Sequence, residues 1–419
     1  MEKEFLSFLE KNENEIYALG ENLFACAELG YRERETARII CKFLDEKGIS
    51  YTKEHSLTGV KATTGEGGYH IALIADMDAV LVGAEGERIP FHSCGHSVQV
   101  ASMLGVLGAI HESKALEGTG VRLSFIATPA EEFIDLEHRN SLIKEGHVRY
   151  ASGKQDMIAN GLFDDVDCVL SIHVTGTPGV KFDIGSTLAG FAIKKVIFHG
   201  AAAHSGAEAH LGKNALHAAA LCLQACSYLL EQFPHEAGIQ LHPILSEGGM
   251  SMNVIPERAV LETYIRANNN EYLFSACEKF DKAAESCAEA LGLSCEVENT
   301  TGYMPLKQDK KLTSLLCEIL REKYSEEEIA ADIVSGASGD IGDLSFLMPA
   351  IQMGFAGFSG RIHSNIFEIE NKKLAYIDSG AAIMELVLKL AREPKHRVYK
   401  EDYENKKAFY LETWLHGNS

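Results

Sequence analysis

No apolar run in this 419-residue sequence approaches the ~20 residues of a membrane-spanning helix. Basic residues are scarce beside acidic ones: 39 Lys and Arg against 60 Asp and Glu leave a formal net charge of −21. That balance excludes a nucleic-acid binder or an anionic-membrane binder, both of which need a basic face. The opening MEKEFLSFLEKNENEIYALGENLF is acidic and amphipathic, and lacks the basic-then-apolar order of a signal peptide. The ten cysteines do not form a disulfide framework; they are scattered, several within apolar helical stretches such as Leu221-Cys222-Leu223. With no signal peptide, that scatter points to reduced thiols in a cytoplasm. Cys222 and Cys226, on one helix, fit ordinary packing better than a metal pair. No internal repeat or low-complexity segment is present. With 46% hydrophobic and 24% charged residues, the chain is an ordinary globular one, long enough for about two to three domains.

The hydrophobic pattern alternates strands with helices. Residues 1–49 are predicted as two helices, with Gly48 as a stop signal. Strands are predicted at His70–Met77, Val121–Thr128, Cys168–Val174 and Pro349–Phe355, and helices at Val98–His111 and near Leu374–Leu390. Such alternation makes a mainly parallel sheet covered by helices. The rhythm changes mid-chain. Phe191–Phe198, Gly238–Leu245, Ala259–Ala267 and Ser294–Asn299 are predicted strands, with helices at Lys213–Phe233 and Glu271–Leu291. That order is the β-α-β-β-α-β split unit of a ferredoxin-like domain. The expected fold is therefore an α/β domain over 1–186 and 299–419, with a ferredoxin-like α+β insertion at 187–298. The stretch Gly65–Gly68 reads as a hairpin turn.

Chemistry-bearing residues gather at the predicted strand ends, where an open α/β sheet binds ligands. Asp76 and Asp78 close a buried strand, and acids there need a partner, a metal or a capping role. In His92-Ser93-Cys94-Gly95-His96, the thiol and imidazole flanking Gly95 suit zinc and similar borderline ions; a buried Cys beside a surface His is the plainer alternative. Glu131 and Glu132 follow the strand VRLSFIAT and, being adjacent, point in different directions. One can hold a metal while the other moves a proton. His173, near the end of the strand CVLSIHV, and His363, after another apolar strand, say little alone. Together, Cys94, His96, Glu132, His173 and His363 make a mixed soft and hard ligand set, with Asp78 placed to orient an imidazole. Five ligands serve two metals ~3.5–4 Å apart if one group bridges them, the usual geometry for hydrolysis.

The order ADMDAV, HSCGH, PAEE, SIH, GAAAHSGAEAHLGKNAL, GGMSMNVIPERAVLETYIRA and a late His resembles the dinuclear metallo-amidohydrolases of the aminoacylase/carboxypeptidase type. It is most similar to the subgroup with a Cys ligand: hippurate, indole-acetyl-amino-acid and aminobenzoyl-glutamate hydrolases. The likeness runs from about Gly20 to about Leu390. It implies two divalent ions per chain, zinc or manganese, held by Cys94, His96, Glu132, His173 and His363. It makes Glu131 the general base and His204 an oxyanion stabiliser, often reaching a partner subunit's site. Asn253 and Arg266 become substrate contacts, Arg266 for a carboxylate. The inserted domain becomes a lid that also forms a homodimer. The implied substrates are N-acyl amino acids or related conjugates with a free carboxylate; small peptides are the alternative. A non-catalytic metal or peptide binder fits less well, since Glu131 and all five ligands are intact. Ser97 and Gln99 depart from the subgroup's usual Asp and His, and Cys26 and Ala27 stand where His and Pro are common. The segment Phe133–Lys154 is longer than usual.

Overall fold

The computed structural model describes residues 2–84 and 86–415. They form two compact units. The first runs up to Ser186 and adds Gln308–Ile333 and Asp343–Tyr403; the second holds Thr187–Lys307, Val334–Gly342 and the chain from Glu404. The second unit thus takes in more than the 187–298 expected of the insertion, because later chain packs onto its strands. Leu306 donates its N–H to the carbonyl of Leu188 at 3.0 Å. Val334–Ser335 pairs in parallel with Thr187–Leu188. The Thr301 hydroxyl donates to the carbonyl of Trp414 at 2.8 Å.

The first unit is built on an eight-stranded sheet. Its order is Tyr51–His55, Gly59–Gly65, Val121–Thr128, Tyr69–Asp76, Cys168–Val174, Ala350–Phe355, Phe182–Ile184 and Ile329–Ala331. The four inner strands are mutually parallel. Every residue of Tyr69–Asp76 is buried, as expected for a strand covered on both faces. Because those four strands run the same way, Asp76, Thr128, Val174 and Phe355 end at one edge. Gly65–Gly68 is not a hairpin turn: Val121–Thr128 lies between the two strands it joins.

The helix His96–Ser113 starts at that edge. Its small and apolar side chains are buried from His96 to Ile110. A Cβ on Gly105 would come within 2.6 Å of Ile16 Cδ1, so the helix lies tightly against Glu13–Ala25. The N-terminal region holds three helices rather than two, Glu2–Lys11, Glu13–Ala25 and Arg34–Lys47. The last ends at Gly48, whose left-handed φ of 66° lets its N–H reach the carbonyls of Leu44 and Asp45.

In the second unit, Gly190–His199 pairs antiparallel with Arg258–Ala267 and with Ser294–Thr301. The strand expected at Gly238–Leu245 is split into Gln240–Leu241 and Ile244–Glu247, both paired with Arg258–Ala267. With the helices Ala215–Leu229 and Asn270–Ala290 this is the ferredoxin-like order. Asn214 and Asn269 cap those helices, each accepting an N–H from the first turn. Among the described residues, no helix is long and apolar enough to cross a membrane.

Candidate metal centre

The loops at the common strand edge bring six side chains together, all from the first unit. Three sets of donor atoms lie within 4.8 Å of one another: Cys94, His96 and His173; Cys94, Glu132 and His363; and His96, Glu131 and Glu132. Cys94 links the first two sets, His96 the first and third, and Glu132 the second and third.

Backbone geometry aims these donors. Gly95 sits between Cys94 and His96 at a φ of 76°, and a Cβ there would meet Val174 Cγ1 at 2.3 Å. Only glycine accepts both conditions. His96 Nδ1 lies 2.8 Å from the carbonyl oxygen of Asp78. A carbonyl only accepts, so Nδ1 carries a proton and Nε2 is the ring nitrogen left to face the cluster. His173 follows the same logic, with Nδ1 3.1 Å from the carbonyl of Val174 and Nε2 3.4 Å from Cys94 Sγ. His363 Nε2 lies 3.2 Å from Cys94 Sγ and 3.3 Å from Glu132 Oε1.

Asp78 is completely buried. Its carboxylate accepts the N–H of Glu131 at 3.1 Å and that of Glu132 at 3.0 Å, and its Oδ1 lies 3.5 Å from His96 Nδ1. Asp76 takes no part in the donor sets. It accepts from the Lys154 ammonium and from the Thr128 hydroxyl at 2.6 Å, and donates its N–H to Gln99 Oε1 at 2.7 Å. Gln99 in turn donates to the carbonyl of Ile172, so it ties the strand ending at Asp76 to the one carrying His173.

The donors fit a divalent cation. His96 Nε2 is buried without a hydrogen-bond partner among the described residues, a condition that normally needs a bound partner. Thiol, imidazole and carboxylate together are the set borderline metals prefer. Burial, reinforced by the charge of His96, pushes the His173 imidazole down to about 4, leaving it neutral and able to ligate. Burial works against ionising Glu132, but His363 and His96 outweigh it and hold the carboxyl at about 2. Burial and the charge of Glu132 push the Cys94 thiol up. A thiolate there therefore needs a cation beside it.

A sequence model of peptidase family M20/M25/M40 matches residues 72–390. The chain belongs to that family. Among curated relatives, an N-acetyl-L-cysteine deacetylase of Bacillus subtilis is 29% identical over 74% of this chain and 72% of its own length. An IAA-amino acid hydrolase of Arabidopsis thaliana is 31% identical over 59% of this chain and 50% of its own. A mouse Xaa-Arg dipeptidase is 29% identical over 62% of this chain and 56% of its own. Solved structures share the fold. A Staphylococcus aureus protein described as a putative aminohydrolase superposes with a TM-score of 0.80 at 22% identity, over 93% of this chain and 99% of that one. A dinuclear metal-binding M20 peptidase of Bacillus subtilis gives 0.71 at 19% identity, over 91% and 99%.

Three expected site residues of this M20 chain lie in the second unit. His204 is exposed; its Nδ1 accepts the N–H groups of Gly206 and Ala207 at 3.2 and 3.1 Å. Asn253 lies beside it, its carbonyl accepting the Ser205 N–H at 3.0 Å. Arg266 donates to the carbonyl of Gly336 at 2.9 Å, with its guanidinium 5.8 Å from the ring of Phe191 and 5.7 Å from that of Tyr264. Sequence reasoning missed Glu33, Arg139 and Lys154, all buried. Glu33 lies in the stretch CAELGYRERET, which resembles the family's opening helix, but only Cys26 and Ala27 drew notice there. For Arg139 and Lys154 the signal was the unusual length of the segment that holds them.

Proposed function

We propose that this M20 chain hydrolyses the amide bond of N-acyl amino acids or related amino-acid conjugates. The single observation that carries the reading is the shared donor cluster, in which Glu131 joins His96 and Glu132 within 4.8 Å. Cys94, His96, Glu132, His173 and His363 would hold two divalent ions, zinc or manganese. Such ions supply Lewis acidity toward the scissile carbonyl and make water more acidic. Glu131 takes the proton of the attacking water and delivers it to the leaving nitrogen. Asp78 orients His96 and fixes the backbone of both glutamates. We assign His204 the donor to the developing oxyanion, supplied by a partner subunit, with Asn253 beside it. Arg266 receives the substrate carboxylate through its planar fork.

That assignment calls for a homodimer formed through the inserted domain. What supports one is that Leu211, Ile244, Met250, Met252 and Val254 of the second unit are exposed apolar side chains of the kind an interface covers. A cytoplasmic setting agrees with ten free thiols. The Xaa-Arg dipeptidases among the relatives favour a second reading, hydrolysis of small peptides. One experiment separates the two. Purified protein loaded with zinc or manganese is offered N-acetyl, aryl-acyl and free-amine dipeptide substrates, with release of the amino acid measured. Faster release from acylated substrates supports the first reading, and faster release from free-amine dipeptides the second. No release from any, with metal bound, would overturn both.

A further inference from the structure

The turn carrying Glu131 and Glu132 is unusual in how it is held. Ala130, just before them, has a φ of 56°, in the left-handed region that a non-glycine residue keeps only when its surroundings impose it. The three N–H groups of the turn all point at buried carboxyl groups. Ala130 donates to Glu33 Oε1 at 2.9 Å, and Glu131 and Glu132 donate to Asp78. The carbonyls at its two ends point at one cation. Arg139, 0% exposed, donates from Nη1 to the carbonyl of Ala130 at 3.0 Å and from Nη2 to the carbonyl of Glu132.

Arg139 sits on the short helix Leu136–Lys144, in the lengthened segment after the glutamates. Its Nη1 also bonds the carbonyl of Ala151 at 2.8 Å, so the far end of that segment is tied to the same group. Its Nη2 lies 3.7 Å from Asp78 Oδ2, balancing the charge that receives the glutamate N–H groups. The ring of Tyr31 lies 5.8 Å from the guanidinium, and a Cβ on Gly30 would come within 2.4 Å of Nη2. The guanidinium is thus boxed in. A planar fork reaches two carbonyls at once; the point charge of a lysine does not.

We propose that Arg139 is a positioning residue for the Glu131–Glu132 pair, acting through the backbone of the turn that carries them. This rests on the roles proposed above for those glutamates. The segment 133–152 is then a clasp that brings a cation under the turn. Arg139 touches no donor atom of the cluster; its effect passes through peptide groups, and small misplacements of reacting groups are costly in rate.

The test compares wild type with Arg139→Lys and Arg139→Gly, all loaded with cobalt(II). Both variants should lose turnover by about 10–100-fold, with KM within about twofold. Their cobalt absorption bands should shift as Glu132 moves. Added methylguanidinium should restore part of both turnover and spectrum in Arg139→Gly. Variants with wild-type kcat and spectrum but a lower Tm would show that Arg139 only fills space, and would overturn the proposal. Should neither variant fold, amide exchange in the wild-type protein decides. Residues 130–132 should exchange as slowly as the strand Val121–Thr128, and exchange at the rate of an exposed loop would overturn the clasp. A wild type that cleaves no amide bond would remove the functional reading alone, since spectrum and exchange report on the turn without it.

Discussion

Cys94 Sγ and His363 Nε2 lie 3.2 Å apart although 269 residues separate them in sequence. The inserted unit occupies much of that interval. The two meet because the chain after Ala350–Phe355 leaves the same sheet edge at which the helix His96–Ser113 starts, and because the His363 N–H bonds the carbonyl of Ser93 at 3.1 Å. The site is therefore a product of the sheet, and substitutions that move strand ends should be felt as loss of metal.

Gly95→Ala is the sharpest case. The new methyl would meet Val174 Cγ1 at 2.3 Å on a backbone with φ of 76°. Strain and overpacking should each cost about 1–3 kcal/mol. Metal content should fall together with Tm. Full metal occupancy in a folded Gly95→Ala protein would contradict the aiming role of the glycine.

Lys154 and Asp76 form a buried pair, exposed by 1% and 4% at the side chain. Burial raises the cost of the Asp76 charge, but the Lys154 ammonium outweighs it and holds the carboxyl below its usual range. Lys154→Met should destabilise by about 3–5 kcal/mol, because it strands the carboxylate. The double variant with Asp76→Asn should recover much of that loss. Denaturant titration of both variants checks this, and equal stability of single and double variants would refute it.

Glu33 gives a pH dependence. Burial, with the charge of Asp78 adding, pushes its carboxyl from 4.5 up to about 8. Between those values the folded chain keeps a proton that the unfolded chain releases, so this group's contribution to stability is lost as pH rises toward 8. Glu33→Gln removes the titration while keeping an acceptor for the Ala130 N–H. Its Tm should fall less between pH 5 and about 8 than that of wild type. Parallel curves would rule out a proton on Glu33.

The proposed roles in the second unit have their own readouts. His204→Ala should lower kcat by about 10²–10³ with little change in Tm, the typical cost of one oxyanion donor. If that donor is shared across a dimer, mixing His204→Ala with Glu131→Gln should restore activity; none despite demonstrated subunit exchange places its action within one chain. Arg266→Ala should weaken binding of free-carboxylate substrates more than of their amides.

The cluster was legible in the sequence because Glu131, Glu132 and His173 stand at the ends of apolar strands and Cys94 and His96 just before an apolar helix, where periodicity marks the position. The nearness of Asp78 to His96 was legible for the same reason. Arg139 was not, because its partners are backbone carbonyls and no residue type announces them. Gln99 was noted as a departure, but its bonds to Asp76 and to the carbonyl of Ile172 depend on two strands being neighbours. The hairpin expected at Gly65–Gly68 failed similarly: a turn is local, whereas insertion of Val121–Thr128 between its strands is not. The third N-terminal helix was missed where Asn12 breaks an otherwise continuous pattern between Lys11 and Glu13.

The central claim is that adjacent glutamates divide the work, Glu132 holding metal and Glu131 moving the proton. Metal analysis and turnover measured together on Glu131→Gln and Glu132→Gln test it most directly. Glu131→Gln should fold, bind metal as wild type does and lose turnover by at least ~10²-fold. Glu132→Gln should lose metal and recover partly when metal is in excess. A Glu131→Gln protein that loses metal, beside a Glu132→Gln protein that keeps it, would contradict the account.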